Sequence, residues 1–171
     1  MKKPLKYIIP LLWILLLPPA AAAAAKKPKK LLAEKIVVEK AERRLTLYRE
    51  GKPWKTYKVA LGGEPVGPKR EQGDHKTPEG SYTVDYRNPN SSYHLSLHIS
   101  YPNRSDTAAA KARGVSPGGA IMIHGLPNGA PDFGATHRLV DWTDGCIAVT
   151  NEEIEEIWDL VPNGTPIEIL P

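Results

Sequence analysis

Ile121-Met122-Ile123-His124-Gly125, and further along Thr143-Asp144-Gly145-Cys146-Ile147, are the two stretches on which the reading of this chain turns. The apolar run from Ala120 to Ile123 reads as a buried strand that delivers a histidine at its end. Gly145 permits a tight turn with exposed backbone donors, and Ile147, Ala148 and Val149 carry the chain into apolar surroundings again. A thiol is a poor nucleophile until it loses its proton. An imidazole, with an ordinary pKa of about 6.5, is the side chain suited to take that proton near neutrality. The two stretches therefore predict Cys146 as nucleophile and His124 as base, with the backbone amides of Gly145 and Cys146 turned toward a developing oxyanion.

Outward from these stretches, glycine and proline punctuate short segments rich in β-branched and aromatic residues. That pattern predicts a mainly β protein with two or three short helices, one of them directly after the cysteine. Residues 36–39 and 44–49 read as the first strands, Glu50-Gly51 as a turn, and 54–61 as the third strand. A loop then runs from Gly62 through Thr77-Pro78-Glu79-Gly80 to a strand over 81–86. Residues 93–100 alternate, with Leu95, Leu97 and Ile99 on one face and His94, Ser96 and His98 on the other. Asp106 is expected to cap a short helix over 107–113 that Gly114 ends. Thr150 stands three residues before Glu153, a capping-box spacing, and Ile154, Ile157, Trp158 and Val161 recur at helical intervals. That helix should stop before Pro162, leaving 165–170 as a closing strand.

Residues 1–25 carry Lys2, Lys3 and Lys6, an apolar stretch from Tyr7 to Leu17, two prolines and an alanine run. This is the pattern of a secretory signal, with an uncleaved anchor as the alternative, and any membrane contact is confined to it. Residues 26–34, with Lys26, Lys27, Lys29 and Lys30, read as a solvated linker, and 35–171 as one domain large enough for its own core. The signal holds three lysines and no acid, so its removal takes the net charge from +4 to +1. No basic field of the kind nucleic-acid binding needs is left, and the domain is expected to be a monomer. Cys146 is the only cysteine of the chain. Structural cysteines of exported proteins come in pairs, so a solitary one argues for a working nucleophile.

The other histidines invite a metal reading that spacing discourages. His94 and His98 share a strand face but lie about 13 Å apart along an extended strand, too far to bind one ion, and His75 sits in a polar loop. Neither a metal nor an organic cofactor is predicted. Tyr93, Tyr101, Trp54 and Trp142 can line a groove or fill the core, and Trp158 reads as core. The glycine- and proline-rich stretch from Gly125 to Trp142, which holds Phe133, His137 and Arg138, reads as a loop able to cover substrate.

Together the His124-Gly125 and Thr143-Asp144-Gly145-Cys146-Ile147 motifs resemble the signature of the L,D-transpeptidase (YkuD-type) family: His-Gly, a variable loop, then Ser/Thr-His-Gly-Cys and an apolar residue. Thr77-Pro78-Glu79-Gly80 is similar to the family's Thr-Pro-x-Gly turn. The resemblance implies a mixed β-sandwich or barrel and an exported enzyme of the periplasm or cell envelope. Its cysteine would attack an amide of a peptidoglycan stem peptide, form a thioester and pass the acyl group to an acceptor, in wall biogenesis and cell shape. By the same resemblance the Gly125 carbonyl holds the second ring nitrogen of His124, Gly145 and Cys146 form the oxyanion hole, and Thr143 takes the Ser/Thr position next to substrate. The alternative is an amidase of the same fold that uses water to trim stem peptides or to release a wall-attached protein. A catalytically inert wall-binding module is a reading of a different class, and the intact His124 and Cys146 stand against it.

Two positions depart from the family pattern. Asp144 stands where the family has a histidine, and Ala148 where it has an arginine. A carboxylate aimed at the nucleophile would oppose thiolate formation, so Asp144 is expected to face away or to pair with Arg138 or His137. Arg138, with His137 beside it, is the candidate to replace the missing cation in substrate binding. The run from Asp141 to Asn151 is similar to a sub-branch of the family found among Gram-negative bacteria.

Overall fold

Ile36, Val38, Leu45 and Leu47 lose all exposure to solvent, and they do so because two adjacent strands place alternate residues on one face. The computed structural model of this protein describes residues 31–131 and 133–171; the expected signal segment and the first part of the linker lie outside the described residues. Among those residues the strands are β1 (Lys35–Glu39), β2 (Arg44–Arg49), β3 (Lys52–Lys58), β4 (Gly80–Ser91), β5 (His94–Ile99), β6 (Met122–His124), β7 (Ile147–Ala148) and β8 (Pro166–Leu170), with helices α1 (Arg104–Ala112) and α2 (Asn151–Leu160). They form a sheet in the order β3-β2-β1-β8-β4-β5-β6-β7.

The first hairpin turns at Glu50 and Gly51 with φ of 51° and 71°, the paired positive values of a tight turn matched to strand twist. β4 is the strand that joins the two halves. Its first residues pair with β8 (Tyr82 with Ile167) and its later ones with β5 (Arg87 with Leu97), with register shifts between Val84 and Tyr86 and between Asn88 and Ser91. Such shifts bend a strand, and here they carry it from one half to the other. Beyond β3, Ala60 exchanges both backbone hydrogen bonds with Ala148, at 3.0 and 2.9 Å, which ties the two ends of the sheet together. The mainly β, barrel-like expectation therefore holds.

Lys40 follows β1 with only 2% of its surface exposed. Its ammonium donates to Gly67 O (2.7 Å), Thr77 O (3.0 Å) and Glu79 Oε1 (2.7 Å). Burial pulls the Lys40 pKa down and the Glu79 carboxylate opposes that pull. One buried cation thus fastens the Thr77-Pro78-Glu79-Gly80 turn, while the Thr77 hydroxyl accepts the Gly62 amide at 3.0 Å.

β3 ends before the expected 61 and β4 runs past the expected 86 to Ser91, and three further details depart from the sequence reading. The cap of α1 is Asn103, which accepts from Ser105 N and Asp106 N; Asp106 lies three residues in and returns a bond to the Asn103 amide. Asn103 and Asp106 form a reciprocal capping box, so the helix starts ahead of the expected position. Ala33, expected in the linker, is buried and donates its amide to Leu160 O at 2.9 Å, which makes it part of the domain. Inside the expected loop, Gly134–Leu139 winds into a 3-10 helix. The helix after the cysteine is as expected: Thr150 and Glu153 complete a capping box, and Ile154 and Ile157 seat α2 on the core.

Candidate active site

Strand register brings His124 and Cys146 to one cavity. β6 pairs in parallel with β7, Ile123 opposite Ile147, and both isoleucines are fully buried. Side chains alternate along a strand, so His124, one residue after Ile123, and Cys146, one before Ile147, project from the opposite face. They line one cavity of about 320 Å³ together with Met122, Tyr93, Trp142 and Thr143. Ser96, paired with His124 across β5 and β6, completes the floor.

The imidazole is 3% exposed. Its Nδ1 lies 2.6 Å from Gly125 O. A carbonyl only accepts, so Nδ1 carries the proton and Nε2 is left as the basic nitrogen. Tyr93 and Trp142 wall the ring, with centroids 4.6 and 5.8 Å from it. This desolvation lowers the His124 pKa from 6.5 to about 4, partly opposed by the bond to Gly125 and assisted by nearby His137. The glycine after His124 has a steric cause: a Cβ there would lie 2.6 Å from Asn151 Oδ1 and 3.1 Å from His94 Cβ. Asn151 Oδ1 in turn accepts the Leu126 amide at 2.9 Å, pinning the loop entrance to α2.

The Cys146 sulfur accepts from Met122 N at 3.4 Å and lies 3.7 Å from Ala120 O. Burial raises the thiol pKa, the Met122 amide lowers it, Asp144 raises it and Lys69 lowers it, with a net upward result. At neutral pH, then, the pair is a neutral thiol beside a neutral imidazole. The turn that presents the sulfur is held by Thr143, whose hydroxyl donates to Cys146 O at 2.8 Å and accepts the Gly145 amide at 3.1 Å. The Gly145 amide, expected at the oxyanion, is therefore turned to Thr143. Gly145 itself has φ of 119°, and a Cβ would come within 2.5 Å of Lys76 O.

Of the other expected residues, Arg138 and His137 do not line this cavity, whereas Asp144 stands at its edge. The Asp144 side chain is 90% exposed and its partner is His75 at 2.7 Å, neither Arg138 nor His137. Arg138 pairs with Glu153, the capping residue of α2, so its guanidinium is not directed at Cys146. His137 is buried and lines a second cavity, which shares Trp142 with the first. Residues that motif reading missed do position the site. Asp141 accepts from Arg43 Nη2 (2.7 Å) and from the Leu61 amide (2.9 Å), tying the turn before Cys146 to the strands across the fold. The sequence pointed to it only as the first residue of the Asp141 to Asn151 run. His94 and His98 are paired with Glu155 and Asp85 on the surface.

The sequence model described as the YkuD L,D-transpeptidase catalytic domain matches residues 33–169. The chain belongs to the YkuD family. YafK of Escherichia coli (strain K12) is 35% identical over 133 residues, which is 74% of this chain and 46% of YafK. The helical cell shape determining protein Pgp2 of Campylobacter jejuni superposes with a TM-score of 0.61 at 27% identity, over 80% of this chain and 47% of Pgp2. Bd1075 of Bdellovibrio bacteriovorus does so with a TM-score of 0.56 at 29% identity, over 82% of this chain and 51% of Bd1075. The chain thus spans about half the length of the relatives it matches. L,D-transpeptidase 1 of Mycobacterium tuberculosis, at 18% identity and a TM-score of 0.50, shares the fold. Within this YkuD domain, Asp144 has a testable consequence. Asp144→Asn removes a charge that raises the thiol pKa, so alkylation of Cys146 by iodoacetamide at pH 8 is expected to speed up about two-fold, the size typical of an exposed charge. An unchanged or slower rate would show that the carboxylate does not act on the sulfur.

Proposed function

We propose that this YkuD domain is an exported cysteine acyl-transfer enzyme of the cell envelope that acts on peptidoglycan stem peptides. Cys146 attacks a peptide carbonyl; as the sulfur–carbon bond forms, the thiol proton passes to His124 Nε2, and the imidazolium then protonates the departing amine. The acyl group is held as a thioester until an acceptor amine takes it and restores the thiol. Because both groups are neutral at rest, proton transfer accompanies bond formation and does not precede it as a standing ion pair. The single observation that carries this reading is the shared cavity of Cys146 and His124, with the tautomer of the base set by Gly125 O. The name of Pgp2, a cell shape determinant, supports a role in wall remodelling.

The test is incubation of the purified protein with isolated peptidoglycan, muramidase digestion and mass spectrometry of the fragments. New or exchanged cross-links are expected, and none with Cys146→Ala. A carbapenem should add its mass to the peptide that contains Cys146. Shortened or freed peptides without new links would make water the acceptor. No product together with no adduct would overturn the proposal.

A further inference from the structure

Asn88, Ser96 and His124 form one row across the sheet: Asn88 pairs with Ser96 between β4 and β5, and Ser96 with His124 between β5 and β6. Both pairings are antiparallel, so neighbouring side chains of the row stand about 5 Å apart. Leu97, one residue after Ser96, and Ile123, one before His124, are fully buried on the opposite face. Alternation therefore turns the row toward the cavity of Cys146, and all three residues line it. Ser96 is 2% exposed, and its hydroxyl makes no hydrogen bond among the described residues, although buried polar side chains are ordinarily paired. It is not sealed either: the buried side-chain atoms closed to solvent and without a partner are Arg87 Nε, His137 Nε2 and Arg138 Nε. The Ser96 hydroxyl thus opens on the cavity it lines. Beside it, Asn88 Oδ1 accepts the Asn90 amide at 2.9 Å, which leaves Asn88 only N–H groups to offer a ligand.

We infer that Ser96 and Asn88 form a subsite for an uncharged peptide amide of the substrate, with Ser96 Oγ hydrogen-bonded to it and Asn88 Nδ2 donating to its carbonyl. A neutral group fits because Asp144, at the edge, is the one residue lining the cavity that carries a full charge at neutral pH. Ala148 stands where the family has an arginine. A carboxylate would meet an anion and no cation, whereas an amide meets a donor and a hydroxyl that can donate or accept. The sheet order β4-β5-β6-β7 sets the direction: from Cys146 a peptide lying along the row passes over His124 to Ser96 and then Asn88. Two strand spacings of about 4.8 Å separate β7 from β5 and an extended peptide advances about 3.3 Å per residue, so the bound amide lies about three residues from the attacked one. This subsite rests on the acyl-transfer reading for what its ligand is, and it names the part of the stem peptide remote from the attacked bond.

The experiment scans the ligand against the side chain. Cys146→Ala protein, with and without Ser96→Ala, is titrated calorimetrically with a soluble N-acylated stem peptide. The same is done with analogues in which one amide at a time is replaced by a trans-alkene, which keeps the shape and removes both hydrogen-bonding groups. Expected is one analogue that binds about ten-fold more weakly than the parent when Ser96 is present, the size of one or two neutral hydrogen bonds. With Ser96→Ala, that analogue and the parent should bind alike. Asn88→Asp, which keeps the bond to Asn90 and removes the donor, should weaken the parent in the same way. With Cys146 intact, Ser96→Ala should raise KM for the parent peptide by a similar factor with kcat preserved, and the alkylation rate of Cys146 should not move. Penalties that are the same with and without Ser96, or no binding of the parent, would overturn the subsite; product formation on isolated peptidoglycan would then decide the acyl-transfer reading separately. A Ser96-dependent penalty without any product would sustain the subsite and sink the chemistry.

Discussion

His124→Gln is expected to cut turnover by about 10³-fold, within the range for losing a general acid–base group, while making the domain less sensitive to acid. The second effect follows from linkage. In the unfolded chain the imidazole takes up a proton near its ordinary value of 6.5, whereas the folded protein resists protonation until about pH 4. Between those values the unfolded state binds more protons, so stability rises with pH across that window and is fully present above it. As pH falls toward 4, about 3 kcal/mol is lost, at 1.36 kcal/mol per pKa unit. Glutamine does not titrate. Urea denaturation at pH 4.5 and pH 7 should therefore show a smaller difference for the variant than for the wild type. Equal pH slopes would mean that His124 is not buried neutral, and turnover within a factor of ten of wild type that it is not the base.

Lys40→Met is expected to have the largest effect on stability, about 3–5 kcal/mol, the usual cost of removing one partner of a buried ion pair. The methionine fills the volume but leaves the Glu79 carboxylate and the carbonyls of Gly67 and Thr77 without the ammonium that joins them. Thr77 also holds Gly62, and Gly62 and Gly145 pack against the backbone of His75 and Lys76. Loosening this loop should therefore reach the Cys146 turn as well as the melting temperature. Adding Glu79→Gln to Lys40→Met removes the stranded charge and should recover part of the loss. Thermal denaturation of the wild type and the two variants measures this; a change below about 1 kcal/mol for Lys40→Met, the scale of a surface pair, would show that Lys40 is not a structural link.

Local pattern was enough for much of this. The alternation in residues 93–100, the hairpin at Glu50-Gly51 and the Thr150/Glu153 capping box are governed by neighbours a few positions away, and the structure has each where the pattern puts it. The start of α1 was misplaced because Asn103 and Asp106 both cap helices well, and the choice between them rests on a reciprocal bond that composition does not display. Partners of charged residues were equally hidden. Arg138 and His137 are near Asp144 in the chain, yet Asp144 meets His75, brought in from the loop before β4. The linkage of Lys40 to Glu79 and of Arg43 to Asp141 depends in the same way on strands distant in the chain.

What the amino-acid order determined by itself is the family and the β-rich class, and it singled out His124 and Cys146 as the candidate pair, since each rests on short spacings and on residue types with limited chemistry. The tertiary structure alone decided the state of those side chains. Enclosure of His124 by Tyr93 and Trp142 and the burial of Cys146 keep both uncharged, and pairing across the sheet places them on one face. Desolvation and strand register come from residues far apart in the chain, so no local stretch encodes them.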